Sequence, residues 1–418
     1  MTQGIDRRTL LTGAGAAAGT ALTLSAGKGQ AQPSAPAIHK HLPDIVVIGA
    51  GAFGGWTALS LRERGAKVTL VDLYGPGNPR ASSGDESRLI RAGYFRETYS
   101  RMALRAWDLW HQRQEEFGRH LIFPNGSLHP ITEEEAKKQR AVFDQLNVPY
   151  DMLKPEEAAY RWPQLGFSDI SLLILEKKAG IVKARESMIA VSEAFQKKGG
   201  TLKIGFAELG SSSAGRLDTI LVDRQPLPAG AYVFACGPWL PKVMPQVMGS
   251  RILVPRREMY YIGSPPRDRR YRWENCPNFS DSLTYTAADI DYGIKVAASF
   301  PNMLMDPDSG DRMPSPFLAE QVKEFVARRL PGLKDQPVVA ARVCQTEYSD
   351  NNDYIIDRHP DFANVLIAGG GSGHGFKMGP ALGEYISDRL LDMPTDPEKD
   401  ALFALSAHGP VDPNNMGD

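Results

Sequence analysis

One glycine-rich stretch near the start of the chain restricts its fold more than any other. The stretch DIVVIGAGAFGGWTALSLRERGAKVTLVD opens with the apolar run Ile45–Ile48, which is typical of a buried parallel strand. Gly49, Gly51 and Gly54 follow in the spacing G-x-G-x-x-G, ahead of a helical pattern and a second apolar run that Asp72 closes. Such glycines allow a tight turn, a close approach to a pyrophosphate and close helix packing, and the distal acid can accept hydrogen bonds from a ribose. The stretch therefore predicts a Rossmann-like βαβ unit that binds a dinucleotide, rather than an ordinary βαβ turn.

The length and the charge of the chain narrow the function classes further. A chain of 418 residues predicts more than one domain. Its 48 basic and 49 acidic residues leave a net charge of -1, which gives no electrostatic reason to expect nucleic acid or an anionic membrane surface as a partner. The three cysteines, Cys236, Cys276 and Cys344, are too few and too scattered for a disulfide framework or a zinc site, so we expect no metal.

Residues 1–37 have the composition of an export signal. The pair Arg7-Arg8 is followed by a short, weakly apolar stretch of small residues and then by GQAQPSAPA. This order is typical of a twin-arginine signal, and the alternative is a disordered tail with a chance arginine pair. The apolar run is too short to span a membrane. We therefore expect the twin-arginine machinery to export the protein to the periplasm or beyond, without stable membrane insertion.

Downstream of the glycine motif, helical patterns alternate with short apolar runs. The helical patterns fall at Tyr99–Phe117, Thr132–Leu146, Ala184–Lys198 and Pro316–Leu330, and Thr132 and Glu135 have the spacing of a capping box. Strand-like runs include Ile252–Ile262, Tyr285–Ala298 and Val365–Ala368. The mixture favours an α/β fold with an α+β second domain.

The order of these elements predicts two interleaved domains. We expect a Rossmann-like cofactor domain made of discontinuous segments, with an antiparallel-sheet substrate domain inserted between them. The expected cofactor segments are residues 44–125, 180–250 and 340–395, the substrate segments are 126–179 and 251–339, and a C-terminal tail covers 396–418.

Four further stretches connect the chain to a known family. SSGDESRLIRAGY, YVFACGPWL, DYGIKVA and RVCQTEYSDNNDYIIDRHP stand in that order after the glycine motif. Together they resemble the monomeric sarcosine oxidase and N-methyltryptophan oxidase group of the D-amino-acid-oxidase-like flavoproteins, over essentially all of residues 44–395. Fructosyl amino acid oxidases and pipecolate or saccharopine oxidases look similar over the same stretches. The resemblance implies FAD as the cofactor.

The late stretch AGGGSGHGFKMGPALGE, residues 368–384, fits the second set of contacts that FAD needs. Its glycines, Gly373 and Gly375 among them, would let the backbone approach a flat ring, and the following helix would direct its N-terminus at the ring. The resemblance makes His374 a flavin-side hydrogen-bond donor and Lys377 a second contact, whereas a core histidine is the alternative. A plain strand–loop–helix crossover would not explain these two polar residues. Ser82 is a further expected cofactor contact.

Cys344 carries the most specific expectation. In the family, a cysteine ahead of the IIDxHP segment is joined to the flavin by a thioether, and Cys344 stands at that position. The alternative is a buried structural cysteine, the commonest role of a lone thiol and the role that we expect for Cys236 and Cys276.

Two arginines and a lysine carry the substrate expectation. The resemblance places Arg88 near the flavin ring, and Arg91 and Lys377 at the substrate carboxylate, a planar anion that suits an arginine fork. Tyr94 would shape the same pocket or serve only in packing. The alternative for both arginines is a solvated helical face.

The resemblance implies that Lys295 lies over the flavin and promotes the reaction with dioxygen, because a fixed positive charge stabilises the negative charge that forms there. An outward lysine on an edge strand is the alternative. Two positions depart from the family pattern: Ser299 stands where sarcosine oxidases carry histidine, and Thr346 where they carry tyrosine. These smaller side chains favour a roomier or more polar pocket than that of sarcosine oxidases, which argues against sarcosine as the substrate.

The sequence therefore predicts an FAD-dependent oxidase of secondary amines that carry a carboxylate, with Lys295, Arg88 and His374 at the reacting centre. The amine would become an imine that hydrolyses, and dioxygen would become hydrogen peroxide. One alternative is a periplasmic dehydrogenase that passes electrons to a quinone or a cytochrome. Another is a non-catalytic flavin-binding accessory protein. A monomer is expected.

Overall fold

The computed structural model describes residues 42–281 and 284–412, without the side chains of residues 299–302. The expected export signal, residues 1–37, and the side chain of Ser299 therefore lie outside the described residues.

The described residues form both strands and helices. In chain order the strands are β1 Ile45–Ile48, β2 Val68–Asp72, β3 Ser87–Ile90, β4 Ile122–Pro124, β5 Ser127–Pro130, β6 Tyr150–Leu153, β7 Leu173–Glu176, β8 Gly180–Lys183, β9 Thr201–Ile204, β10 Ala207–Leu209, β11 Ser212–Ser213, β12 Arg216–Leu217, β13 Thr219–Val222, β14 Gln225–Pro228, β15 Ala231–Phe234, β16 Pro255–Ile262, β17 Asn278–Asp281, β18 Thr284–Ala287, β19 Ile294–Leu304, β20 Val338–Gln345, β21 Ile355–Arg358 and β22 Val365–Gly369. The helices are α1 Ala52–Glu63, α2 Glu97–Phe117, α3 Glu133–Leu146, α4 Pro155–Arg161, α5 Ala184–Lys197, α6 Leu240–Val243, α7 Pro245–Met248, α8 Pro316–Arg329, α9 Gly379–Leu390 and α10 Pro397–Leu402.

A six-stranded sheet, in the order β21-β22-β15-β1-β2-β9, carries the glycine motif. All neighbouring pairs are parallel except β21 with β22. β1 and β15 are buried throughout, as the continuous apolar runs predict. The predicted βαβ unit is confirmed: α1 begins at Ala52, after Gly49 and Gly51, and Gly54 lies in its first turn.

An eight-stranded, largely antiparallel sheet has the order β20-β16-β19-β18-β17-β5-β7-β6. α8 covers one face of it, where Leu318, Val322 and Phe325 pack in one apolar cluster with Ile262 and Val296 of the sheet. The α/β fold with a second, antiparallel sheet is therefore as predicted. β20, which contains Cys344, pairs with β16 in this sheet. Residues 340–345 were expected in the cofactor domain, but they belong to the eight-stranded sheet.

The predicted run Tyr285–Ala298 is wrong as a single strand, because it forms β18 and β19 with a turn between them. The Asp289 carboxylate accepts hydrogen bonds from the N–H groups of Tyr292 and Gly293, and Gly293 has φ +96°. An acid that caps its own turn and a glycine in the left-handed region break the ladder there. The capping box predicted at Thr132 and Glu135 is confirmed at the start of α3.

Two of the late glycines, Gly379 and Gly383, pack α9 on α1. A Cβ atom at Gly379 would lie 2.5 Å from Trp56 Cδ1, and one at Gly383 would lie 2.6 Å from the Trp56 backbone. A Cβ atom at Gly375 would lie 2.7 Å from the ring of Phe53. Gly379 and Gly383 therefore let α1 and α9 approach closely, whereas the approach of the preceding loop to a flat ring stays a prediction. No helix of the described residues is long and apolar enough to cross a membrane.

Candidate active site

The carboxyl ends of the parallel strands open into a cavity, here called the glycine-loop cavity. Its wall includes Gly49, Gly51, Asp72, Ser82, Ser83, Arg88, Cys236, Trp239, Thr346, Glu347, Gly371, Gly373 and Gly375. Ligands of open α/β sheets bind at this edge, next to helix N-termini that carry partial positive charge.

The glycine motif has the shape that a pyrophosphate requires. A Cβ atom at Gly49 would lie 2.3 Å from Ala235 O, and one at Gly54 would lie 1.9 Å from Gly49 O, so packing excludes any side chain there. A Cβ atom at Gly51 would meet only Ser83 Oγ, at 3.5 Å, and would otherwise project into the cavity. The motif thus leaves open the one position at which a phosphate must approach the backbone.

Asp72 lies at the end of β2 with both carboxylate oxygens fixed by the backbone. Oδ2 accepts from the N–H of Ala50 at 2.7 Å, and Oδ1 accepts from the N–H groups of Tyr74 and Gly75. Burial raises the pKa of Asp72, and the three N–H groups oppose that rise. The carboxylate is held at the cavity wall with a set orientation, which suits a ribose contact.

Ser82, an expected cofactor contact, lies in the wall of the glycine-loop cavity. Ser82 Oγ donates to Gln345 O at 2.7 Å, whereas Ser83 Oγ accepts from the N–H of Ala52 at the start of α1. Glu347 lies beside Ser82 in the cavity wall, and burial raises the pKa of this carboxyl to about 7. Ser82 therefore lines the cavity with its hydroxyl proton already engaged.

A second cavity, here called the basic cavity, has a volume of 1140 Å³. It shares Arg88, Thr346, Gly373 and Phe376 with the glycine-loop cavity, so the two meet there. Thr346 Oγ1 is buried at this junction and finds no hydrogen-bond partner within residues 42–281 and 284–412. A buried hydroxyl without a partner is costly, so the junction suits a polar ligand group.

Arg88 belongs to a buried charge cluster at the same junction. Its guanidinium donates to Asp85 Oδ2 at 2.7 Å and to Ser82 O at 2.6 Å. Burial opposes the charge of Asp85, but Lys295 and Arg88 hold the pKa of this carboxyl well below its usual range. Arg88 lies on β3, so the helical solvated face weighed as its alternative is wrong.

Lys295 completes this cluster. It is 1% exposed, and its ammonium donates to Asp85 Oδ2 and to Ser87 O. Tyr261, its cross-strand neighbour, donates to Asp85 Oδ1 at 2.8 Å. β19 lies inside the sheet, so an outward lysine on an edge strand is wrong. Its charge is nevertheless partly compensated by Asp85, which the sequence did not indicate.

Cys344 lies on β20 and lines the basic cavity, with 4% of its surface exposed. Burial raises the pKa of its thiol, while Arg88, whose Nη2 lies 3.6 Å from Sγ, lowers it. Burial also raises the pKa values of Cys236 and Cys276, to about 12 in each case. Of the three thiols, Cys344 is the one beside a buried cation.

Arg91, Tyr94 and Lys377 converge in the wall of the basic cavity. Lys377 Nζ donates to Tyr94 Oη at 3.0 Å, and the Arg91 guanidinium lies 5.0 Å from the centre of the Tyr94 ring. Burial and the charge of Arg91 hold the pKa of Lys377 well below its usual range. Trp110 on α2 fixes the lysine's backbone by donating to Lys377 O at 2.8 Å. The structure thus brings two predicted clamp cations to one place.

Glu176, at the end of β7, lies behind these cations and was missed by the sequence analysis. It is fully buried and accepts from the N–H groups of Ala92 and Gly93, the two residues that follow Arg91. Burial raises the pKa of this carboxyl to about 7, against the opposing effects of these N–H groups, Arg91 and Lys377. A lone glutamate at the end of the apolar run SLLILE was the available signal.

His374 lines the basic cavity, but both its ring nitrogens have protein partners. Nε2–H can donate to Asn352 O at 2.9 Å while Nδ1 accepts from Tyr354 Oη at 2.8 Å. Burial lowers the pKa of His374 to about 3. This geometry leaves no ring N–H for the predicted flavin-side donor and matches the core-histidine alternative. His129, which sequence analysis also missed, lines the same cavity.

No cluster of three or more histidine, cysteine or acidic side chains that could hold a metal ion occurs among the residues that the structure describes.

Comparison with known proteins identifies relatives along most of the chain. The DAO family profile, described as FAD dependent oxidoreductase, matches residues 44–389. Monomeric sarcosine oxidase of Streptomyces avermitilis is 28% identical over 83% of this chain and 93% of the relative. Human peroxisomal sarcosine oxidase is 28% identical over 88% of this chain and 97% of the relative. N-methyl-L-tryptophan oxidase of Yersinia pestis is 25% identical, with coverage of 88% and 96%.

Solved structures share the fold. L-proline dehydrogenase from P. horikoshii superposes with a TM-score of 0.76 at 20% identity, over 87% of this chain and 96% of that one. Fructosamine oxidase (Amadoriase II) from Aspergillus fumigatus superposes with a TM-score of 0.73 at 20% identity, over 90% of this chain and 91% of that one.

Proposed function

Because the chain belongs to the DAO family of FAD-dependent oxidoreductases, we propose that it oxidises a secondary amine that carries a carboxylate. The single observation that carries the proposal is the convergence of Arg91 and Lys377 beside Tyr94, in a cavity that meets the glycine-loop cavity. A half-buried guanidinium and a buried ammonium in one cavity wall suit an anion, and a guanidinium fork matches a carboxylate in particular.

FAD fits the two cavities. The open approach at Gly51, the fixed carboxylate of Asp72 and the unpaired hydroxyl of Thr346 are positions for its pyrophosphate, its ribose and a polar group at the junction. When bound, FAD supplies the two-electron acceptor for the C–H bond beside the amine nitrogen. Arg88 and Gly373, which line both cavities, are the residues next to that junction.

The protein's own contributions to the reaction are orientation of the substrate and electrostatic stabilisation. Arg91 and Lys377 hold the carboxylate, so the substrate's α-carbon is directed toward the junction of the cavities. Their positive charge also disfavours a cationic amine nearby, which favours the neutral amine that oxidation requires. The imine product hydrolyses in water, and dioxygen is reduced to hydrogen peroxide with Lys295 as the supporting charge.

The substrate is larger than sarcosine. Met259, Tyr285 and Ala297 add apolar and aromatic side chains to the wall of the basic cavity, which suit a substrate with a side chain that sarcosine lacks. Relatives named for sarcosine and for N-methyl-L-tryptophan span this size range. N-alkyl or cyclic amino acids with a bulky side chain fit this combination best.

Two further properties belong to the proposal. Cys344 forms a thioether to the flavin, supported by its place at the cavity wall beside Arg88. The twin-arginine pair, Arg7 and Arg8, directs export of the folded, loaded protein to the periplasm. The enzyme acts as a monomer.

A screen of purified holoenzyme for peroxide release tests the function. N-methyl and cyclic amino acids are compared with the same amines lacking the carboxylate, for example proline with pyrrolidine. We expect turnover of carboxylate-bearing amines only. Arg91→Met should raise the KM for these amines steeply, while Arg105→Met, on the exposed face of α2, serves as the matched control. Dye reduction without peroxide would instead identify a dehydrogenase, and equal turnover of pyrrolidine would exclude the carboxylate clamp.

A further inference from the structure

The carboxylate of Glu176 occupies an unusual position behind the proposed clamp. Oε2 accepts from the N–H of Gly93 at 3.0 Å, and Oε1 accepts from the N–H of Ala92. A Cβ atom at Gly93 would lie 2.8 Å from Glu176 Oε2 and 3.5 Å from Arg91 Nη1. The acid and the guanidinium therefore lie against the same point of the backbone, although Arg91 Nη1 itself donates to Gly93 O.

The charged and titratable groups around Glu176 come from several elements. Arg91 and Lys377 act on it as positive charges, and the phenol of Tyr94 is a further neighbour. Its cross-strand partners are Ser127 on β5 and Tyr150 on β6; Ser127 does not titrate, and the Tyr150 hydroxyl donates to Asp144. Glu176 is thus the buried anion beside the two clamp cations.

We propose that Glu176 is the counter-ion of the empty clamp and takes up a proton from solvent when the substrate carboxylate binds. The inference rests on the proposed function, because it requires the carboxylate to bind at Arg91 and Lys377. Before binding, one buried carboxylate faces two cations. Bound substrate adds a second anion, and protonation of Glu176 restores the earlier balance of charge.

Burial favours the protonated form of Glu176. Desolvation raises the pKa of Glu176 to about 7, so both protonation states are populated at neutral pH. A second anion beside the same cations raises this pKa further. Deprotonated Glu176 competes with the ligand, so carboxylate affinity should fall as pH rises through the pKa of the unliganded enzyme.

Two other titratable groups near the clamp have pKa values far from neutrality. Burial raises the pKa of Tyr94 to about 12 and lowers that of His129 to about 3, with Arg91 acting in the downward direction on both. Neither titrates near neutrality. Lys377, whose pKa burial holds well below its usual range, and Glu347 in the glycine-loop cavity are the two groups that the experiment must separate from Glu176.

The probe is a carboxylate without an amine, acetate or tetrahydrofuran-2-carboxylate, titrated into the holoenzyme by calorimetry. Comparing buffers of different ionisation enthalpy gives the number of protons taken up. We expect uptake of about half a proton at pH 7, and Kd rising up to about tenfold between pH 6 and pH 8. Absence of uptake with normal binding overturns the proposal.

Three variants assign the proton. Glu176→Gln should bind without uptake and with a Kd independent of pH from 6 to 8, whereas Glu347→Gln should retain the proton uptake. Lys377→Arg carries a permanent charge and should retain the uptake. Uptake that is lost in Lys377→Arg, or that persists in Glu176→Gln, overturns the proposal. If Glu176→Gln fails to fold, the wild type, Lys377→Arg and Glu347→Gln still decide the question.

The variant Arg91→Met separates this inference from the proposed function. Binding that is weakened by Arg91→Met but takes up no proton would contradict only the role of Glu176. Binding that is unaffected by Arg91→Met would contradict the clamp itself, and the inference would fall with it.

Discussion

Replacing Lys295 by methionine should slow the reaction with dioxygen far more than the reaction with substrate. The cluster of Asp85, Arg88 and Lys295 carries one net positive charge, and the replacement reduces it to zero. Negative charge develops on dioxygen as it accepts electrons, and loss of one preorganised partner of such charge costs about 10²–10³ in rate. Because Asp85 already compensates part of the lysine charge, we expect about 10².

The buried contacts of this cluster also determine how much stability each substitution removes. Lys295 and Asp85 are 1% and 2% exposed, and removing one partner of a buried ion pair costs about 3–5 kcal/mol. Lys295→Met leaves Asp85 with Arg88 at 2.7 Å and Tyr261 at 2.8 Å, so the free energy of unfolding should fall by about 3 kcal/mol. Asp85→Asn leaves the buried ammonium without its counter-ion and should cost about 5 kcal/mol.

Two assays separate these effects. Stopped-flow mixing of anaerobically reduced enzyme with oxygenated buffer gives the oxidative rate, and anaerobic mixing with substrate gives the reductive rate. Urea unfolding at saturating FAD gives stability. Asp85→Asn raises the net charge of the cluster, so it should lose stability without slowing reoxidation. Lys177→Met, which removes an exposed partner of Asp151, is the control.

The reasoning would be refuted if Lys295→Met slowed both half-reactions equally, because the lysine would then support the whole site rather than the oxygen step. It would also be refuted if Asp85→Asn slowed reoxidation as much as Lys295→Met does.

Three further outcomes are expected. Arg91→Ala and Lys377→Ala should each raise KM steeply while leaving the flavin spectrum nearly unchanged, since loss of one partner of a desolvated charged pair costs about 2–5 kcal/mol. An unchanged KM in both variants would mean that no carboxylate binds there. Denatured wild-type protein should retain yellow flavin on a tryptic peptide containing Cys344, and Cys344→Ala should bind FAD without the bond; complete release of flavin from the wild type would make this residue a structural cysteine. Arg7→Lys combined with Arg8→Lys should leave loaded protein in the cytoplasm, as fractionation would show, and normal export would rule out the twin-arginine route.

The fold was largely predictable because its strongest constraints are local. The strand, the spaced glycines and Asp72 specify a βαβ unit within a single stretch, and helices such as α3 carry their own capping box. The run that became β18 and β19 was misread because its apolar residues continue through the turn. The Asp289 carboxylate and the positive φ of Gly293 form the turn, but the alternation of Asp289 and Asp291 with Ile290 and Tyr292 has the period of a half-buried strand.

The site was less predictable, because its charges are balanced across distant segments. Arg91 and Lys377 could be proposed from a resemblance, but Glu176 and Asp85 act through partners that sequence distance hides. Likewise, the polar ring of His374 suggested a ligand contact, although Tyr354 and Asn352 satisfy both of its nitrogens. Pairing of this kind depends on the tertiary structure.

The most direct test of the central claim is anaerobic bleaching of the flavin absorbance by a matched pair of amines. N-methylalanine and N-methylethylamine differ by the carboxylate alone, and each is titrated against the wild type and Arg91→Met. The account predicts that only the amino acid bleaches the wild-type flavin, and that Arg91→Met requires far higher concentrations. Equal bleaching by both amines, or no effect of the substitution on the amino acid, would contradict it.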